Sequence, residues 1–62
     1  MDKDLVRYLT DSKKAILSWR AMLMDARKLF KYEDSEWKVI TDQIANVDDL
    51  LEECWRLLSI YS

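Results

Sequence analysis

The chain has 62 residues, with ten Lys/Arg against twelve Asp/Glu, one cysteine, and no histidine, glycine or proline. Without histidine there is no Ser-His or Cys-His nucleophile system and the commonest metal ligand is missing; without glycine no phosphate-cradling loop can form. Sixty-two residues make at most one small domain, and half of them are hydrophobic, more than a single seam between two helices can hide.

The first predicted element is a helix over about residues 3–31. Its apolar ladder runs Leu5, Leu9, Ser12, Ile16, Trp19, Leu23, Ala26, Phe30. Steps of three and four keep side chains on one stripe of an α-helix, whereas a strand needs alternation by two. Lys13, Arg20 and Arg27 recur every seven residues beside this ladder. Flanking charges of this kind favour pairing with an acidic helix. A second stripe, Tyr8, Ala15, Met22 and Leu29, lies on the other side of the ladder. Leu17 and Met24 lie about 100° around the helix from the ladder, among Arg20, Lys14, small Ala21 and Lys28.

A turn is predicted at residues 32–34. Lys31 to Glu36 is polar apart from the ring of Tyr32, and Asp34 or Ser35 can cap the next helix through a side-chain oxygen. Glu33, Asp34 and Glu36 suit the positive end of that helix, and Arg27, Lys28 and Lys31 suit the negative end of the first.

The second helix covers about residues 35–61, with the ladder Trp37, Ile40, Ile44, Val47, Leu51, Cys54, Leu58, Tyr61. The two ladders predict an all-α antiparallel two-helix hairpin, 1–62, in which position i faces a position near 66 − i. Trp19 and Trp37 are expected in its core, and Ser12 falls opposite Cys54. Surplus apolar residues predict a homodimer forming a four-helix bundle, with Tyr8, Ala15, Met22, Leu29, Leu50 and Leu57 at the interface. Trp55 lies beside the second ladder and is expected either to seal that interface or to anchor a partner.

Residues 1–32 carry a net charge of +4 and residues 33–62 a net of −6. The acidic helix and a pI near 4.9 argue against nucleic acid as a partner. Asp48, Asp49, Glu52 and Glu53 read as a solvated acidic face, so no metal or cofactor is expected. Cys54 reads as a small buried hydrophobe. A lone cysteine, the absence of an apolar run of roughly 18 residues and a start without signal-peptide character predict a cytoplasmic protein that does not enter membranes.

Ile44-Ala45-Asn46-Val47-Asp48-Asp49-Leu50-Leu51 resembles the Ser-x-x-Leu-Asp-x-Leu-Ile pattern of helical-hairpin phosphatases that act on sporulation response regulators. Ile44 stands where that family has serine, and the family's glycine-containing turn is missing. The resemblance implies that Asp48 would help position a water or amide at a partner's phosphoryl group. In architecture the chain is also similar to plasmid copy-number hairpins, a likeness that implies an RNA-binding four-helix-bundle dimer. The favoured expectation is a small non-enzymatic protein-binding regulator. It would be an adaptor, assembly chaperone or inhibitor, of a kind phages encode, and would recognise its partner through Leu17, Arg20, Ala21, Met24 and Trp55.

Overall fold

The structure is a computed structural model that describes residues 2–61. Two helices, α1 (Asp2–Arg27) and α2 (Ser35–Tyr61), pack against each other as a hairpin. With no glycine or proline to interrupt either ladder, both helices run unbroken. The Cα trace measures 48 × 15 × 10 Å. Its thickness is that of one helix, so the fold is a single layer with no second layer to cover its faces.

α1 stops at Arg27, four residues before the predicted end. From there the backbone tightens, with Lys28 N–H donating to Asp25 C=O, Leu29 to Ala26 and Phe30 to Arg27, at 3.1–3.2 Å. These are the three-residue bonds of a 3₁₀ turn. The reason for the early stop lies in Asp34. Its carboxylate accepts the Lys31 N–H at 2.9 Å, an amide that a continuing helix would give to the Arg27 carbonyl. The Asp34 N–H returns the bond to the Lys31 carbonyl, also at 2.9 Å, which closes the turn. No residue takes a positive φ among those described, so the helix ends without the left-handed cap that glycine usually supplies.

The side chains expected to cap α2 are therefore turned elsewhere. Asp34 faces back to Lys31, and the Ser35 hydroxyl donates to the Glu36 carboxylate at 2.9 Å. The turn end is covered instead by rings: Tyr32 and Trp37 lie 4.9 Å apart, with the Arg27 guanidinium 5.1 Å from the Trp37 ring centre.

Leu9, Ile44 and Val47 form the buried core, and Val47 is wholly enclosed. Ser12, Ile16, Leu23 and Ala26 flank it half-buried from α1, as do Ile40, Leu51, Cys54 and Leu58 from α2. Trp19 departs from expectation: a ladder residue assigned to the core, it keeps 43% of its surface exposed. Its place near the seam is taken by residues on the other side of the ladder, since Lys13, Arg20, Met24 and Arg27 are all half-buried. α1 is thus rotated about its axis toward its basic side, which carries Trp19 outward.

Candidate protein-binding surfaces

A two-helix seam has two flanks, and the structure treats them oppositely. On the first flank the heptad of cations meets a heptad on α2. Lys13 Nζ sits 4.3 Å from the Trp55 ring centre, Arg20 Nε is 2.5 Å from Asp48 Oδ1, and Arg27 Nη1 donates to Thr41 Oγ1 at 3.2 Å. In each pair the residue numbers add to 68, within two of the expected register. Cations on the basic helix thus find a π face, a carboxylate and a hydroxyl at one-heptad intervals, which joins the helices along this side. Hydrogen bonding to Asp48, then Coulombic attraction, holds the Arg20 guanidinium above its ordinary pKa. Both partners remain partly exposed, so the pair specifies register more than it stabilises.

The residues expected to bind a partner are divided by this arrangement. Arg20 is committed to Asp48. Met24 is half-buried and its sulfur accepts from Arg27 Nη2 at 3.5 Å. Leu17 and Ala21 remain exposed. Trp55 lies on the same flank, 58% exposed, with one face under Lys13. Beside it a shallow groove of about 430 Å³ is lined by Val6, Thr10, Lys13, Trp55, Leu58 and Ser59. The Thr10 hydroxyl donates to the Val6 carbonyl at 2.8 Å, so that polar group is already satisfied within α1. Sequence reasoning did not place Val6 here, although its spacing of seven from Lys13 sets it on this flank.

The second flank is open and rich in apolar residues, with exposed Asp11 and Ser18 set between them on α1. Tyr8 and Met22 are each 67% exposed and Leu29 is 81% exposed; Ala15 is exposed between Tyr8 and Met22. Leu29 belongs to the tightened turn beyond α1, so the helical part of the stripe ends at Met22. From α2 come Leu50, which is exposed, and Leu57, which is half-buried against the hairpin. Trp19 and Val39 also face this side, and neither was assigned to it from the sequence. The signal for Val39 was present: it precedes Leu57 by eighteen residues, five full helical turns.

The acidic side of α2 holds Asp42, Asp49, Glu52 and Glu53. Arg56 bonds Glu53, which raises the arginine pKa through that hydrogen bond first and its charge second. No group of three metal-ligating side chains forms among the described residues. No helix among them is long and apolar enough to cross a membrane. These features define a helical hairpin with one zipped flank and one bare one. Comparison with protein-family models, curated proteins and solved structures finds no match.

Proposed function

We propose that this protein is a small non-enzymatic regulator of the cytoplasm that acts by binding protein: it pairs with a second copy through its open flank and meets a target through the Leu17, Ala21, Met24 and Trp55 side. One observation carries the reading. Among the described residues three apolar side chains are buried, while twelve large ones are exposed by more than a third. Exposed apolar area on that scale, gathered along flanks rather than scattered, is the mark of an association surface. Leu17 and Trp55 supply exposed apolar anchors on the target-binding side, and Arg20 contributes by fixing the register that holds them there.

The acyl-phosphate reading rests on Asp48, whose carboxylate is occupied by Arg20. The RNA-binding reading rests on a basic helix whose Lys13, Arg20 and Arg27 are turned to α2. Neither gains support from those positions. The test is affinity capture from the source cells with the intact protein and with a Leu17→Gln/Met24→Gln double variant. One protein retained by the parent and lost by a helical, still dimeric variant is the expected result. Equal retention by both would remove this side of the hairpin from the account.

A further inference from the structure

The open flank, if covered by a second copy, can be covered in two ways. A two-fold axis parallel to the helices sets α1 of each copy against α2 of the other and puts both turns at one end. An axis perpendicular to the helices sets like against like, α1 on α1 and α2 on α2, with turns at opposite ends. We infer that the dimer is the first kind, with each basic helix lying between two acidic ones and both turns together.

Charge chooses between them. α1 carries six Lys/Arg and four Asp, a net of +2, and α2 carries two Lys/Arg and six Asp/Glu, a net of −4. With Lys13, Arg20 and Arg27 turned to the chain's own α2, the rest of α1 holds three Lys/Arg and four Asp, close to neutral. α2 without Asp48 keeps a net of −3, so pairing α2 with α1 repels less than pairing α2 with α2. Like-on-like packing brings two α2 helices together along Asp42, Asp49 and Glu53, offset on that helix by two cations, Lys38 one turn before Asp42 and Arg56, which already serves Glu53. The corresponding side of α1 is mixed: Asp4 and Asp11 alternate with Arg7 and Lys14. Neither of those two cations has an acidic partner within its own chain among the described residues. Crossed packing brings this mixed side, Arg7 and Lys14 together with Asp4 and Asp11, to the acidic side of the other copy's α2, with Lys14 level with Glu53 of the partner subunit.

Shape agrees with charge. In the crossed arrangement the helices keep the hairpin's own level, so Tyr8 lies near Leu57 of the partner subunit and small Ala15 lies near the partner's Leu50. Small residues facing large ones are what a close-packed layer needs. Tyr8, Trp19, Met22, Val39 and Leu50 are each 43–67% exposed, a contribution toward the roughly 800 Å² per partner of a stable interface. The arrangement has a functional consequence. Both zipped flanks point outward on opposite sides of the bundle with the same polarity, so the dimer offers two identical target sites.

This inference rests on the proposed self-association, and one experiment separates the two. A spin label is attached at Glu33→Cys, in the exposed turn, with Cys54→Ala removing the native thiol, and dipolar distances are measured in frozen solution. A second label at Asp4→Cys reports the other end of the hairpin, with circular dichroism checking helicity of both variants. Crossed packing predicts label separations below about 35 Å at both positions, set by interhelical spacings of about 8–10 Å. A dominant separation above about 40 Å, the length of a 26-residue helix, overturns the arrangement while leaving the dimer standing. Absence of any intermolecular dipolar signal at 100 µM overturns the dimer and the arrangement together.

Discussion

Val47 and Met22 are treated oppositely by the fold, one wholly enclosed and the other two-thirds bare. Val47→Ala removes two methylene-sized groups from the enclosed centre of the seam and leaves a void beside Ile44, one helical turn away. The expected cost is about 2 kcal/mol, read as a lower urea midpoint. Met22→Ala should leave the helicity of the isolated hairpin unchanged and act only on association. The Arg20–Asp48 pair belongs at this scale too. Because the arginine pKa is raised on folding, its contribution is full below the unfolded value and is lost only as pH rises through the folded one. That window is strongly alkaline. The stability lost on Arg20→Met should therefore be the same at neutral and mildly alkaline pH, but should shrink in 1 M salt, where exposed charges are screened. A loss that is independent of salt would mean the guanidinium acts through packing alone.

At the scale of the elements, the ladders made both helices legible, because nothing in the sequence competes with a 3.6-residue period. They also named Leu9, Ile44 and Val47 as core, and the heptad of cations marked the flank that zips. Two features were not legible. The end of α1 depends on whether the Lys31 amide bonds a carbonyl behind it or a carboxylate ahead of it, and helix propensity is silent on that choice. Trp19 was misplaced because a ladder fixes which face is apolar, not how far the helix rotates about its axis. Here Lys13, Arg20 and Arg27 reach across to α2 and turn α1 toward themselves. Asp34→Ala tests the first point. Amide exchange at Lys31 should accelerate and stability should fall by about 1 kcal/mol; unchanged protection would mean the turn closes without that carboxylate.

For the whole molecule the governing fact is thinness. A layer one helix thick leaves each helix half its circumference in water, and this sequence puts apolar residues on much of that half. The cations of the closed flank find partners within the chain, while Leu17 and Trp55 beside them and the apolar residues of the open flank stay exposed. The candidate surfaces were partly readable in advance, since Tyr8, Ala15, Met22 and Leu50 lie where their spacing put them. Val39, Trp19 and the commitment of Arg20 required the three-dimensional arrangement. Leu50→Lys places a charge in the open flank without touching Leu9, Ile44 or Val47. It should abolish association and make the melting temperature independent of protein concentration, as measured by circular dichroism over a hundredfold dilution series.

Sedimentation equilibrium of the intact protein from about 1 to 100 µM tests the central claim most directly. The predicted result is a mass near twice the 7.5 kDa chain, falling to one chain for Leu50→Lys. A single 7.5 kDa species throughout that range, melting cooperatively, would contradict it.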